Sequence, residues 1–78
     1  MNNVELFSII ETALELNQGV INKHSSSDNI ESWDSLGHLS ILVLLDKELK
    51  GNASTIKELA VATSVEKIID LLEKNNLM

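Results

Sequence analysis

The sequence predicts an all-α fold, and two observations support this. Proline is absent from the 78 residues, and β-branched residues nowhere alternate with polar ones over the length of a strand. Apolar residues instead recur at intervals of three and four, the spacing of one face of an α-helix. A chain of this length rarely forms a second hydrophobic core, so we expect residues 1–78 to form a single domain, a small four-helix bundle.

The first helix is predicted over residues 4–16. Its apolar residues recur at helical spacing: Leu6, Phe7, Ile10, Ala13 and Leu14. Asn2 or Asn3 is suited to the N-cap position, and Gly19 lies beyond the predicted end of the helix. Residues 17–33 carry this glycine, three consecutive serines and scattered apolar side chains. We therefore predict a long loop between helices one and two that folds back on the core.

The second helix is predicted from Ser35 to about Lys50, with Asp34 as its N-cap and Gly51 after its end. A rotation of about 100° per residue directs one apolar set towards the core: Ile41, Leu42, Leu45 and Leu49. A second apolar set falls on another side of the helix: Leu36, Leu39 and Val43. A surface helix normally has one apolar stripe. The second set is therefore either covered by the loop or the third helix, or free to bind another protein.

Two capping-box patterns predict two further helices. In a capping box, a hydroxyl and a carboxylate three residues later each accept a hydrogen bond from a free backbone amide. The pattern Thr-x-x-Glu occurs at 55–58 and again at 63–66. It predicts a short third helix over residues 56–62 and a fourth helix over residues 64–74. The fourth helix has one apolar stripe: Val65, Ile68, Ile69 and Leu72.

The charge of the chain limits the classes of partner. Twelve acidic residues outweigh six lysines, which gives a formal net charge of −6, and arginine is absent. A protein that binds a phosphate backbone needs a basic face, and arginine provides the side-chain contacts that read base edges. We therefore expect no nucleic-acid partner, and we expect protein partners with basic docking surfaces.

Nothing in the sequence indicates a membrane span or secretion. The longest apolar run, residues 41–45, is far shorter than the roughly 20 residues of a membrane-spanning helix. Residues 1–5 lack the basic and apolar segments of a signal peptide. The chain has no cysteine, which excludes a disulfide framework and a thiol nucleophile and fits a reducing compartment. We expect a cytoplasmic monomer.

Ser35 is the main candidate for chemistry. It is predicted at the first position of helix two, where unpaired amides and the helix dipole favour an anion. A serine at a helix start is more often only a cap, but Asp34 already suits that position and leaves the Ser35 hydroxyl free for modification. His24 and His38 are the only histidines, and no serine-hydrolase motif accompanies them. We therefore predict that the chain is not an autonomous hydrolase.

The segment Trp-Asp-Ser-Leu-Gly-His-Leu at 33–39 contains an Asp-Ser-Leu sequence that resembles the signature of acyl carrier proteins. The serine opens helix two near mid-chain after a long loop, and residues 58–72 resemble the family's third and fourth helices. The resemblance implies a four-helix bundle of acyl-carrier type with a 4′-phosphopantetheine arm on Ser35. It further implies that Asp34 and Leu36 help the modifying enzyme, a phosphopantetheinyl transferase, to recognise the site.

The resemblance also implies that the chain is not an enzyme but a carrier that tethers substrates for other enzymes. The arm, donated from coenzyme A by a transferase that uses magnesium, would hold an acyl group as a thioester for delivery to separate acyl-activating and acyl-transferring enzymes. Apolar and acidic positions of helix two match those with which the family docks on partners: Leu36, Leu39, Val43, Asp46 and Glu48. Polar and basic residues dilute the acidic face of helix two: Gly37, Ser40, Lys47 and Lys50. Because the charge pattern of a docking face selects partners, this dilution favours a dedicated lipid, polyketide or other acyl-transfer pathway.

Other features receive simpler interpretations. Trp33 and His38 flank the start of helix two. Either they pack as a staple across its first turn, or Trp33 anchors the long loop on the bundle; the sequence does not decide between these. Asp28, Glu31 and Asp34 lack the glycine and terminal glutamate of a calcium loop, so we predict no metal site. The alternative to a carrier is an unmodified interaction module that binds a partner through its second apolar set.

Overall fold

The computed structural model describes all 78 residues and contains three α-helices and no β-strand. The helices are α1 (Asn3–Ala13), α2 (Ser35–Glu48) and α3 (Val65–Lys74). Two 3₁₀ helices, Ala53–Thr55 and Lys57–Val61, lie between α2 and α3. None of the helices is long and apolar enough to cross a lipid bilayer. The all-α class is confirmed, but a bundle of four α-helices is not.

The predicted third α-helix is instead the second 3₁₀ helix, Lys57–Val61, and the capping box predicted at 55–58 does not form. Thr55 is the last residue of the first 3₁₀ helix and not an extended N-cap. Its hydroxyl donates to the carbonyl of Asn52 at 2.8 Å and accepts from no amide of the chain. Residue Ile56, which precedes the second 3₁₀ helix, makes no side-chain cap. Five residues give too few hydrogen bonds to offset the cost of starting an α-helix, so the tighter and shorter form is adopted.

The other helix starts follow capping rules. Asn2 caps α1, and it forms a complete capping box with Glu5: Glu5 N donates to Asn2 Oδ1 at 2.8 Å and Asn2 N donates to Glu5 Oε1 at 3.1 Å. Ser64 caps α3 by accepting from Lys67 N at 3.2 Å. The capping box at 63–66 predicted Thr63 as the cap, so that prediction is wrong by one residue.

All three α-helices end in the same way, at a residue with left-handed backbone: Glu15, Lys50 and Asn76, with φ of 56°, 56° and 61°. In each case the next amide bonds to the carbonyl five residues earlier, as Leu16 N does to Glu11 O at 2.8 Å. This is the Schellman motif. Helix α1 therefore ends at Ala13, before the predicted position 16, and Gly19 is not its terminator.

One aliphatic core is built around the single tryptophan. Trp33 is the largest fully buried side chain. On α2, Ile41 and Leu45 are fully buried, and Leu42 and Leu49 are half-buried, so the predicted core face is confirmed. The predicted stripe of α3 is also confirmed, with three fully buried residues and one half-buried: Val65, Ile68, Leu72 and Ile69.

The long loop folds back on the core, as predicted. Ile21 and Trp33 are buried within it. A buried carboxylate on α1 holds its first part, because Glu11 Oε2 accepts from the amides of Gly19 at 2.9 Å and Ile21 at 3.0 Å. Hydrogen bonds to charged groups are among the stronger ones, about 1.5–3 kcal/mol each.

The middle of the loop is bound to the segment that precedes α3. Ser27 N donates to Thr63 O at 2.9 Å, and Val65 N donates to Ser25 O at 3.0 Å. These bonds form an isolated antiparallel β-bridge rather than a strand pair. The loop is thereby fixed on both sides, and its last residues lead into α2 at a defined position.

Candidate functional site

Ser35 occupies the first position of α2. Asp34 is the N-cap, as predicted, and its carboxylate Oδ1 accepts from Gly37 N at 2.8 Å. The Ser35 side chain is exposed, and its hydroxyl makes no hydrogen bond within the chain. The backbone amides of Ser35 and Leu36 likewise have no acceptor in the chain. One free hydroxyl and two free amides therefore meet at the positive end of the helix dipole.

The Trp33–His38 pair lies directly beneath this first turn. The two rings are nearly parallel, with centroids 6.2 Å apart and planes 16° apart, and they meet edge to edge, so the predicted contact across the first turn is confirmed. Trp33 Nε1 donates to His38 Nδ1 at 3.0 Å, and His38 Nε2 lies 2.8 Å from the carbonyl oxygen of Leu59. An indole N–H only donates and a carbonyl only accepts, so the imidazole carries its hydrogen on Nε2. Both ring nitrogens are occupied, and neither is available as a base for Ser35.

Gly37 has a packing role that the sequence did not reveal. A β-carbon at this position would overlap the carbonyl oxygen of Ser32 and would lie 2.7 Å from Leu14 Cδ2. The glycine therefore lets the first turn of α2 approach the end of the loop closely. The sequence indicated only that Gly37 dilutes the acidic face of helix two.

A shallow polar cavity of about 340 Å³ adjoins Ser35. It is open to solvent between the loop, the start of α2 and the second 3₁₀ helix. Hydroxyl groups of Ser27 and Thr63 line it, and neither makes a hydrogen bond within the chain. The full lining is Ser27, Trp33, Asp34, Ser35, His38, Ala60 and Thr63. A phosphate on Ser35 would have space and hydrogen-bond donors here, so the site fits a phosphodiester-linked arm.

An apolar groove of about 310 Å³ lies further along α2, between the middle of that helix and the two 3₁₀ helices. Most of its lining is aliphatic: Leu42, Val43, Ala53, Ile56, Leu59 and Ala60. Asp46, Ser54 and Lys57 complete it. Ala60 lines both this groove and the polar cavity beside Ser35, so the two spaces are neighbours.

The second apolar set of α2 is not covered by the loop or by the 3₁₀ helices. Leu36, Leu39 and Val43 are 76%, 57% and 59% exposed, and we call these three residues the exposed α2 face. Of the two alternatives considered from the sequence, burial of this face is therefore wrong. An unpartnered face of large aliphatic side chains next to Ser35 is available for contact with another molecule.

The two acidic positions of α2 differ in their surroundings. Asp46 is half-buried, and its Oδ1 accepts from Ser54 N at 2.8 Å, so it fixes the first 3₁₀ helix to α2. Glu48 is exposed and makes no side-chain bond within the chain. Of this pair, only Glu48 has its whole carboxylate free for a partner.

Comparisons of the chain with models of protein families, with curated proteins and with solved structures find no match. Three features of the chain bear on its function: the surroundings of Ser35, the exposed α2 face and the sequence resemblance at residues 33–39 and 58–72.

Proposed function

We propose that this chain is an acyl carrier protein that bears a 4′-phosphopantetheine arm on Ser35. It would hold acyl intermediates as thioesters and deliver them to separate enzymes of a dedicated lipid, polyketide or other acyl-transfer pathway. Its fold would be an acyl-carrier bundle in which the second 3₁₀ helix, Lys57–Val61, replaces the third helix. The observation that carries this proposal is the free, exposed hydroxyl of Ser35 beside an N-cap that Asp34 already provides.

The groups around Ser35 suit a phosphodiester. The free amides of Ser35 and Leu36 and the dipole of α2 would stabilise its negative charge, by about 0.3–1 kcal/mol at an exposed helix start. On attachment, the Ser35 oxygen loses its proton and forms a new P–O bond, while the phosphoanhydride of coenzyme A breaks and adenosine bisphosphate leaves. The transferase must provide the base, because both nitrogens of His38 are already bonded. It would also bring the magnesium ion.

The arm would supply the thiol that this cysteine-free chain lacks. The chain itself would contribute a rigid attachment point and surfaces for recognition. A transferase can reach Leu36 directly, since that side chain is 76% exposed, whereas Asp34 acts both in recognition and as the cap. The apolar groove between α2 and the two 3₁₀ helices gives a place in which the bundle can shelter an acyl chain.

Docking would use the exposed α2 face together with the free carboxylate of Glu48. A chain with a formal net charge of −6 associates fastest with a basic surface, because complementary charge raises encounter rates. Lys47 and Lys50 interrupt the acidic pattern and would select among such partners. The chain would act as a monomeric cytoplasmic carrier.

Intact-mass measurement tests the proposal. The purified chain is incubated with coenzyme A, magnesium and a broad-specificity phosphopantetheinyl transferase. We expect the wild type to gain the mass of one phosphopantetheinyl group and Ser35→Ala to gain nothing. Ser40→Ala, which changes an exposed serine on the same helix, is the matched control and should be modified like the wild type. An unmodified wild type, under conditions that modify a known carrier, would overturn the proposal.

The second candidate is an unmodified interaction module. Its support is the exposure of Leu36, Leu39 and Val43, which a binding surface for a partner helix would require equally. This candidate predicts that Ser35 stays unmodified and that Ser35→Ala keeps every interaction of the wild type, whereas Leu39→Ser loses them. The mass experiment therefore separates the two functions.

A further inference from the structure

Glu11 on α1 is a buried carboxylate without a cationic partner. Its side chain belongs to a residue that is only 6% exposed. Oε2 accepts from the amides of Gly19 and Ile21, and Oε1 makes no hydrogen bond within the chain. The one ion pair of the structure joins His24 to Glu66, so no lysine of this chain neutralises the Glu11 charge. Glutamate is rarely this buried unless it is paired, so a cation from another molecule would be stabilised at the free oxygen.

A cavity of about 230 Å³ lies between α1 and residues 18–21 of the loop, and Glu11 is part of its lining. We call it the α1 cavity. The only enclosed side-chain oxygen or nitrogen without a partner is Ser32 Oγ, so Glu11 Oε1 keeps contact with solvent. Sites for drug-sized ligands usually measure about 300–1,000 Å³. The α1 cavity is smaller, and its size suits one long side chain.

The polar lining of the α1 cavity suits a primary ammonium group. Three acceptors are present: Glu11 Oε1, the hydroxyl of Ser8 and the side-chain oxygen of Gln18. Ser8 and Gln18 make no side-chain hydrogen bond within the chain, so both are available. An ammonium group has three donors, as many as the cavity has acceptors. A guanidinium binds a carboxylate best through both oxygens, and Oε2 of Glu11 already accepts from two amides.

The remaining side chains of the lining are apolar: Val4, Phe7 and Ile21. Val4 is 74% exposed and Ile21 is buried, so apolar surface extends from solvent into the cavity. A lysine buries its four-carbon stem along apolar surface while its charged end reaches a polar group. We infer that the α1 cavity binds a lysine side chain of a protein partner. The net charge of −6 favours the approach of a partner surface that carries such a lysine.

The α1 cavity is separate from the surfaces used in the proposed function. It shares no lining residue with the polar cavity beside Ser35 or with the apolar groove, and no residue of the exposed α2 face lines it. A lysine held there would leave the Ser35 hydroxyl and the exposed α2 face free. The inference therefore goes beyond the proposed function and does not require modification of Ser35.

Nuclear magnetic resonance tests the inference on the unmodified full-length chain labelled with nitrogen-15. The probe is the capped tripeptide glycyl-lysyl-glycine, added to millimolar concentrations. We expect saturable shifts of the Gly19 and Ile21 amide signals, because these amides donate to Glu11. The same peptide with Nε-acetyl-lysine has no charge and should cause no saturable shift. The arginine peptide should bind at least about threefold more weakly than the lysine peptide.

Two variants of the cavity and one matched control complete the test. Glu11→Gln keeps an oxygen for the Gly19 and Ile21 amides but loses the charge, and it should weaken lysine binding about tenfold. Ser8→Ala removes one acceptor without touching the loop and should weaken binding about threefold. Glu15→Gln is the control, since it removes the same charge from an exposed residue that does not line the cavity. Its affinity should stay within about twofold of the wild type.

Three results would each overturn the inference. The first is the absence of any saturable shift when the lysine peptide is added to the wild type. The second is unchanged affinity in both Glu11→Gln and Ser8→Ala, which would locate the peptide elsewhere on the acidic surface. The third is an arginine peptide that binds as tightly as the lysine peptide. Because the mass of the Ser35 adduct is measured separately, failure of the α1 cavity and failure of the carrier function are distinguished.

Discussion

Gly37 packs directly against the carbonyl oxygen of Ser32, with no room for a β-carbon between them. We therefore expect Gly37→Ala to destabilise the fold, although alanine is the better helix former by about 1 kcal/mol. The obstacle is a backbone carbonyl rather than the end of a flexible side chain, so the loop or α2 must shift. Overpacking of this kind typically costs about 1–3 kcal/mol, and we expect a net loss of about 1–2 kcal/mol in urea unfolding.

Ser40→Ala is the matched control for this substitution, since Ser40 is exposed on the same helix. It should leave the free energy of unfolding unchanged or slightly raised, because only helix propensity differs. A Gly37→Ala variant as stable as Ser40→Ala would show that the loop yields without cost.

Asp34 and Ser35 are adjacent, but only Asp34 should matter for stability. Asp34→Ala removes the acceptor of the Gly37 amide, and loss of an N-cap costs about 0.5–2 kcal/mol. Ser35→Ala removes a hydroxyl that bonds to nothing in the chain, so its unfolding curve should match that of the wild type. Urea titration of both variants checks this. A loss for Ser35→Ala as large as that for Asp34→Ala would make the serine part of the cap.

The two apolar sides of α2 should respond very differently to truncation. Leu45 is fully buried, and Leu45→Ala should cost about 2–5 kcal/mol because it removes packed methylene groups and leaves a cavity. Leu39 belongs to the exposed α2 face, and Leu39→Ala should change the free energy of unfolding by no more than about 0.5 kcal/mol. Circular dichroism during urea unfolding measures both. Similar losses at the two positions would contradict the assignment of the faces.

The sequence predicted features that depend on local pattern. The period of 3.6 residues separated Leu45 from Leu39 on α2, and the preference of aspartate for the cap identified Asp34 and left Ser35 free. The positions of Trp33 and His38, one before the cap and one four residues after it, predicted their contact. Each of these features is decided by side chains only a few residues apart.

Features that depend on distant partners were not predicted. The bond from His38 to Leu59 and the close approach of Gly37 to Ser32 require knowledge of how the elements pack. The capping box at 55–58 failed because Thr55 is the last residue of the first 3₁₀ helix, whereas an N-cap residue has extended backbone. The Thr-x-x-Glu pattern does not show that its threonine already belongs to a preceding turn.

The end of α1 was also not predicted, because glycine is the usual residue at the left-handed position after a helix and Glu15 occupies that position here. Its φ is 56°, a conformation in which a β-carbon is strained by about 1–2 kcal/mol, and its carboxylate lies at the negative end of the helix dipole. Glu15→Gly removes both penalties, while the greater freedom of glycine in the unfolded chain offsets part of the gain. We expect a net stabilisation of about 0.5–1 kcal/mol, seen as a higher melting temperature.

Glu15→Ala separates the two penalties, because it removes the charge and keeps the β-carbon at positive φ. We expect Glu15→Gly to be more stable than Glu15→Ala by about 0.5 kcal/mol, the part of the gain that comes from relief of strain at the β-carbon. Equal stabilities of the two variants would assign the whole effect to charge. The exposure of Glu15 makes the comparison clean, since neither substitution disturbs a packed neighbour.

The same reasoning applies to Lys50, whose φ is also 56°, except that its positive charge favours the end of α2. The gain for Lys50→Gly should therefore be smaller than the gain for Glu15→Gly.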